Sequence, residues 1–207
     1  NDDSETKLNN RAIMDKVAAK SYLPANRLLW ELLQKHPEFK ISYSLSGVFL
    51  EQIEHDFPEV LDSFRRLIDT GRVEILSETY YHSLAFLFSR AEFRHQVEMH
   101  RAKVKELFGI EPSRVFRNTE LIFNNDLAWE VGQMGYQGVL AEGADHVLDW
   151  RSPNFVYSAR GSGNVRLLLK NFGLSDDIAF RFSEQAWNEH PLYDDKFAGW
   201  GNSHNGN

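Results

Sequence analysis

A glutamate that follows a short apolar segment is the first candidate for chemistry in this chain. Residues 115–123 read VFRNTELIF, so a predicted strand carries Glu120 at its carboxyl end, just before a helix begins near Asn124. In a barrel of alternating strands and helices, catalytic side chains are presented to substrate at this position. Because an unpaired carboxylate is costly to desolvate, such an acid has either a catalytic task or a structural partner. Arg117 or the N-terminus of the next helix could be that partner, so both interpretations stay open.

Other acids and aromatic residues cluster where further strands are predicted to end. They are Glu74, Glu78, Tyr80, Tyr81, His82, Glu142, Asp145, His146, Asp176 and Asp177. Carboxylates that converge at the mouth of a barrel suit glycoside hydrolysis, in which one acts as nucleophile or base and another as acid. Trp150, Trp187 and Trp200 lie in polar, loop-like sequence, where flat rings can stack on sugars. The same carboxylates also suit metal binding or helix capping, and tryptophans more often serve packing.

The histidines do not form a metal site by spacing. His95 and His100 lie on a predicted helix and are about 140° apart around its axis, so they cannot share a ligand face. Asp145 and His146 would supply two ligands, and no third is indicated. Asp176 and Asp177 are better explained as the N-cap of a following helix. We therefore expect no metal site.

Helix and strand signals alternate along the chain. Strands are predicted at residues 40–46, 72–78, 115–120, 138–142 and 165–170. Helices are predicted at 24–36, 48–53, 58–69, from the capping box at 89–92 to Gly109, and at 124–134. This alternation indicates parallel βα units. Serines and glutamates occupy one parity of the first two strands, which favours a barrel with a polar interior over a sheet buried on both faces.

Composition narrows the class of protein further. The chain has 207 residues, 42% of them hydrophobic, which is enough for one core, and we expect a single domain over 1–207 with a loop or cut end at 201–207. The net charge of -7 and the lack of any Lys/Arg block argue against nucleic acid or an anionic membrane as partner. No apolar run approaches the roughly 20 residues of a membrane span. Without cysteine or a secretory signal, the expected location is cytoplasmic.

Five stretches of the sequence resemble glycoside hydrolase family 57. Residues 71–82, GRVEILSETYYH, are similar to the second conserved stretch of this family. Residues 115–122, VFRNTELI, resemble the third, which holds the nucleophile. Three further stretches are similar to its α-amylase subgroup: LAEGADH at 140–146, WRSPN at 150–154 and LSDDIAFRF at 174–182. Together these motifs cover nearly the whole chain in order.

The resemblance implies an incomplete (β/α)7 barrel and a retaining mechanism on an α-glucan or maltooligosaccharide. On that mapping Glu120 is the nucleophile, and Glu74 lines the subsite of the sugar under attack. His82 and Asp145 are candidates for contacts to sugar hydroxyls, with Trp150 as a further substrate-binding residue. No metal or organic cofactor is implied for the chemistry.

Two conserved parts of the family are not found in this sequence. They are the His-Gln-Pro stretch on the opening strand and a stretch reading roughly Asp-Tyr-Glu-Thr-Phe-Gly, which holds the general acid. The matching region ends near residues 196–200. We therefore expect a barrel truncated at both ends, with the aspartate that serves as general acid beyond residue 207. General acid catalysis is worth ~10²–10⁴-fold, so we expect the segment by itself to be a very poor enzyme.

Three other functions remain as alternatives. An α-glucanotransferase would use the same covalent intermediate, and a catalytically inactive relative would only bind carbohydrate. A metal-dependent carbohydrate deacetylase would need an aspartate and two suitably spaced histidines, and the sequence contains no such set.

Overall fold

Parallel strands alternate with helices in the computed structural model, which describes residues 9–181. The strands are β1 (Ile41–Tyr43), β2 (Val73–Ile75), β3 (Val115–Arg117), β4 (Gly138–Glu142), β5 (Tyr157–Ser158) and β6 (Arg166–Lys170). The α-helices are α1 (Asn10–Val17), α2 (Leu23–Lys35), α3 (Gly47–Asp56), α4 (Pro58–Ile68), α5 (Ala85–Phe88), α6 (Arg90–Phe108), α7 (Asn125–Gln133), α8 (Asp145–Leu148) and α9 (Phe172–Asp176). Short π-helical segments at Ala18–Tyr22 and Asp177–Arg181 and a 3₁₀ turn at Thr119–Leu121 complete the elements.

Five of the strands form one parallel series. β1 pairs with β2, and β3, β4 and β6 pair in that order, with β5 antiparallel at the outer edge of β6. A bridge between Ser77 and Phe116 joins the two groups, because Ser77 N donates to Val115 O at 3.1 Å and Arg117 N donates to Ser77 O at 2.7 Å. The expected parallel βα units are thus confirmed. Within residues 9–181 the series stays open and does not close into a barrel.

One face of this series is covered by helices. Alternate residues point to opposite faces of a strand, and Ile75, Phe116 and Val139 are fully buried on one of these faces. Ile75 lies in a core with α2, α3 and α4, whereas Phe116 and Val139 lie in a second core with α6 and α7. In α4 the buried residues recur at helical spacing: Val60, Leu61, Phe64, Leu67 and Ile68. Burial of each large apolar side chain contributes about 1.5–3 kcal/mol, which holds the strands in place.

The opposite face of β1 and β2 is polar. Ser42 Oγ donates to Glu74 Oε1 at 2.6 Å, and Ser44 Oγ donates to Glu78 Oε1 at 2.5 Å. The polar parity of both strands therefore shares one face, as the alternation predicts. β1 is shorter than predicted because Ser46 leaves the strand to cap α3, its Oγ accepting from Phe49 N at 3.3 Å.

The predicted capping box at Ser89 is confirmed, and the structure adds a cap at Asn124, where a helix was predicted to begin. Ser89 caps α6, which ends at Gly109 with a left-handed φ of 69°, and Asn124 caps α7 by accepting from Leu127 N at 2.8 Å. The predicted N-cap at Asp176 and Asp177 is wrong. Asn171 follows β6 directly and caps α9, so the two aspartates come at the end of that helix and just after it.

Two other expectations concern membrane spans and the chain's end. Within residues 9–181, none of the helices combines the length and the apolar character needed to cross a membrane. Trp187, Trp200 and the expected loop at 201–207 lie outside the described residues.

Candidate active site

Glu120 stands on a strained turn at the carboxyl end of β3. Asn118 and Thr119 are buried, and the chain then turns so that Glu120 has φ 54° and ψ 20° and Leu121 has φ 56°. A left-handed backbone costs of order 1–3 kcal/mol in a residue other than glycine, and such strain clusters at functional sites. The Glu120 side chain is 75% exposed. The turn therefore lifts the carboxylate out of the sheet edge into solvent.

Within residues 9–181, Glu120 contacts neither of the structural partners that the sequence suggests, Arg117 and the N-terminus of the next helix. No hydrogen bond or ion pair joins Glu120 to Arg117 there, and α7 is capped by Asn124 instead. Its close neighbour is His82, whose Nε2 lies 3.5 Å from Glu120 Oε1.

Threonine and serine hydrogen bonds tie the loop after β2 to the loop after β3. Thr119 Oγ1 donates to Ser83 O at 2.8 Å, and Ser83 N donates to Thr79 Oγ1 at 3.0 Å. The two threonine hydroxyls lie 3.4 Å apart, both buried. Asn118 Nδ2 closes its own loop by donating to Ile122 O at 2.9 Å. These contacts hold the loop that carries His82 against the turn that carries Glu120.

A buried carboxylate lies behind His82. Glu78 is 2% exposed, and its Oε2 lies 3.1 Å from His82 Nδ1. Its other oxygen accepts the hydrogen bond from Ser44. Buried charges require partners, and here both carboxylate oxygens have one. His82 itself has a left-handed φ of 51°, so the strained residues His82 and Glu120 face each other.

A cavity of about 660 Å³ opens beside these residues. Its polar wall includes Ser44, Ser46, Glu78, His82 and Arg117. The opposite wall is mainly aromatic and comes from Tyr22, Tyr43, Phe49 and Phe64. Burial raises the pKa of Tyr43 to about 12, so its hydroxyl stays protonated and donates to Asn26 Oδ1 at 3.1 Å. Mixed polar and aromatic walls suit a ligand with hydroxyls and apolar faces, as a sugar has.

The other predicted substrate residues lie apart from this pair. Glu74 shares the inner face with Glu78 but precedes it by four residues, about 13 Å along an extended strand, and accepts from Ser42. Asp145 is exposed at the start of α8, which follows β4, the neighbour of β3. Trp150 is 86% exposed just after α8. In the described part of the chain, no hydrogen bond or ion pair connects these three to Glu120.

The sequence patterns did not single out Glu78. It is one acid among several at predicted strand ends, yet the fold buries it. Its spacing of four residues from His82 was the available signal. His100 is fully buried, Nε2 donates to Leu45 O at 2.8 Å, and burial lowers the pKa of its ring. Within residues 9–181, no three His, Cys, Asp or Glu side chains are placed to share a metal.

Comparison with known proteins shows which family and which relatives this chain is similar to. Residues 5–206 match the model of glycosyl hydrolase family 57. The chain is 46% identical over 197 residues to a protein of Methanocaldococcus jannaschii named "Putative alpha-amylase", covering 95% of this chain and 41% of that protein.

Solved structures share the fold. The 4-alpha-glucanotransferase of Thermococcus litoralis superposes with a TM-score of 0.69 at 23% identity, over 86% of this chain and 28% of that one. A GH57 branching enzyme of Thermococcus kodakaraensis gives a TM-score of 0.69 at 14% identity, over 87% and 45%. The chain thus spans less than half the length of each of these relatives.

The open series of parallel strands that alternate with helices defines an α/β protein. The match over residues 5–206 makes the assignment specific: the chain belongs to glycosyl hydrolase family 57. The resemblance of the five sequence stretches is thereby confirmed.

Proposed function

We propose that the protein carrying this chain acts on α-glucans as a retaining glycosidase with Glu120 as the nucleophile. The observation that carries the proposal is the presentation of Glu120, exposed on a strained turn at the carboxyl end of a parallel strand. Membership of family 57 and the 46% identity to the Methanocaldococcus jannaschii protein support an amylase-like activity. We also propose that the five parallel strands belong to an incomplete (β/α)7 barrel and that residues 1–207 form part of one catalytic domain.

In this mechanism a Glu120 oxygen attacks the anomeric carbon of the glucan. The bond to the leaving oxygen breaks, and that oxygen takes a proton from a general acid. Water deprotonated by the same group then attacks the anomeric carbon, and the electron pair of the sugar–Glu120 bond returns to the carboxylate. Retaining enzymes hold the two carboxyl groups about 5–5.5 Å apart.

The proposed general acid is an aspartate outside residues 9–181. Glu78 is the carboxylate nearest in sequence to His82, but it is buried, and both of its oxygens are engaged by Ser44 and His82. It therefore has no oxygen directed at a leaving group.

Four further residues are proposed to bind substrate. Glu74 lies on the polar inner face, and His82 lines the cavity beside Glu120. Asp145 follows the strand next to β3, and the exposed ring of Trp150 offers a flat surface for sugar stacking. No metal or organic cofactor takes part in the proposed chemistry.

Covalent labelling tests the proposal. The protein is produced at its full genomic length, treated with a mechanism-based fluoro-sugar, and digested for peptide mass spectrometry. We expect the label on Glu120, loss of turnover in Glu120→Gln, and normal turnover in Glu31→Gln, which changes an exposed acid on α2. Labelling at another residue, or normal turnover by Glu120→Gln, would refute the assignment.

Glucan transfer is a second candidate, supported by the shared fold with the Thermococcus litoralis 4-alpha-glucanotransferase. Both reactions pass through the same intermediate and differ in whether water or a sugar hydroxyl resolves it. Incubation with maltotriose separates them, because transfer yields longer oligosaccharides and hydrolysis raises the number of reducing ends. Binding of maltotriose without either product would identify an inactive carbohydrate-binding relative.

A further inference from the structure

We infer that Glu78 and His82 act as a positioning pair that orients Glu120. This inference rests on the proposed role of Glu120 as nucleophile. It assigns functions to a buried acid and a loop histidine beyond any direct contact with sugar.

The hydrogen bond between Glu78 and His82 has a defined direction. An ionised carboxylate can only accept hydrogen bonds, so Nδ1 of His82 carries the proton that points at Glu78 Oε2 over 3.1 Å. Ser44 occupies the other oxygen. Glu78 therefore sets the orientation of the His82 ring.

The other ring nitrogen of His82 faces Glu120. Nε2 lies 3.5 Å from Glu120 Oε1, longer than a strong hydrogen bond, and catalytic hydrogen bonds often shorten once substrate is bound. The ring lies between the two carboxylates, so it holds one Glu120 oxygen and leaves the other free to attack.

The loops are built to maintain this contact. His82 and Glu120 both adopt left-handed backbone conformations, and the network of Thr79, Ser83 and Thr119 joins their loops. Such conformations persist only where surrounding contacts enforce them. The fold therefore fixes the pairing of His82 with Glu120 through the backbone of both loops.

Two single variants and their combination test the inference in the protein at its full genomic length. His82→Asn removes the ring while keeping a residue that tolerates positive φ, and Glu78→Gln removes the buried charge. The rate constant for labelling of Glu120 by the fluoro-sugar is measured along with KM, and total label counts competent sites, so misfolded protein does not enter the rate. His55→Asn is the matched control, because His55 Nδ1 also lies beside a carboxylate, 2.8 Å from Asp56.

We expect each single variant to lower the labelling rate constant by about 10- to 100-fold, as misplacement of a reacting group does. Glu78→Gln should do so with little change in KM, because Glu78 is buried and is not among the proposed substrate-binding residues. Because Glu78 acts through His82, the double variant should be no slower than His82→Asn alone. His55→Asn should label at the wild-type rate. If Glu78→Gln fails to fold, His82→Asn still tests the inference. The side chain of His82 is 37% exposed, so its replacement should not prevent folding.

Wild-type labelling of Glu120 together with undiminished rates in both variants would overturn the inference and leave the proposed function standing. Additive losses in the double variant would also overturn it, because the residues would then act independently. Failure of the wild-type protein to label at Glu120 would instead count against the proposed function itself.

Discussion

Gly47 at the start of α3 is where a single methyl group should disturb the loop that carries Glu78 and His82. A Cβ built on Gly47 would lie closer than 3.0 Å to ring atoms of Tyr80, inside the 3.5–4.0 Å of normal carbon contacts. The ring cannot easily withdraw, because Tyr80 is 5% exposed and its hydroxyl donates to Glu51 Oε1 at 2.5 Å. Val48 N also donates to Tyr80 O at 3.3 Å, which ties the loop to α3.

The expected magnitude for Gly47→Ala comes from two opposing effects. Overpacking of a core costs about 1–3 kcal/mol, while alanine gains up to about 1 kcal/mol over glycine in a helix. We therefore expect a net destabilisation of about 1–2 kcal/mol. At roughly 2–4 °C per kcal/mol for a domain of this size, Tm should fall by about 2–8 °C. Turnover should fall as well, because relief of the clash displaces the loop that carries His82.

Thermal unfolding followed by circular dichroism, with turnover measured on the same samples, checks this prediction. Gly132→Ala is the control, since Gly132 also lies in a helix and its added Cβ would meet only Val165 Cγ2 at 3.0 Å and Ser162 O at 3.5 Å. The reasoning fails if Gly47→Ala leaves Tm unchanged or if Gly132→Ala loses as much.

Three further predictions concern the core, a titrating histidine and a helix cap. Phe64→Ala should lower the free energy of unfolding by about 3–5 kcal/mol, because Phe64 is 2% exposed and packs edge-on against Tyr43 at 5.2 Å; urea unfolding measures this. Burial lowers the pKa of His100 in the folded state, so below the unfolded value near 6.5 only the unfolded chain takes up the proton. Stability is therefore lost as pH falls through that value, by at most about 1.4 kcal/mol per pH unit, and His100→Gln should show a smaller loss in urea unfolding between pH 7.5 and 5.5. Asn124→Ala should cost about 1 kcal/mol by removing the cap of α7, measured as a shift of the urea midpoint.

Each of these has a result that would contradict it. Phe64→Leu, which retains most of the volume, should be clearly milder than Phe64→Ala, and equal losses would argue against packing as the cause. An equal pH dependence in wild type and His100→Gln would show that other groups govern acid stability. Asn124→Ser keeps a capping oxygen, so a loss as large as that of Asn124→Ala would rule out the cap.

Much of the secondary structure was readable from local patterns. β4 occupies the predicted residues Gly138–Glu142, and α6 begins after Ser89 and ends at Gly109. These signals are local, because a capping hydroxyl or a left-handed glycine acts within one helical turn. The strand limits were less accurate, since Ser46 was counted in a strand and instead caps α3.

Two local features were not read correctly from the sequence, because each depends on more than its own local pattern. Asp176 and Asp177 are good capping residues, but Asn171 lies nearer the end of β6 and starts the helix first. The helical stretch from α1 through Ala18–Tyr22 was not predicted. Packing of Ala18, Met14 and Tyr22 against the core around Phe64 accompanies that helix.

The sequence by itself determined the family and singled out Glu120. Both the motifs of the family and the pattern of a strand followed by a helix are formed by consecutive residues. It also placed the polar parity of β1 and β2 on one face, since alternation in a strand is a local rule. Only the tertiary structure buried Glu78, turned Glu120 into a left-handed conformation and brought His82 between them. Those relations depend on how the ends of β1, β2 and β3 meet and on hydrogen bonds between residues 36 to 40 positions apart. Contacts across such separations are decided by the packing of whole strands and helices, which no local pattern specifies.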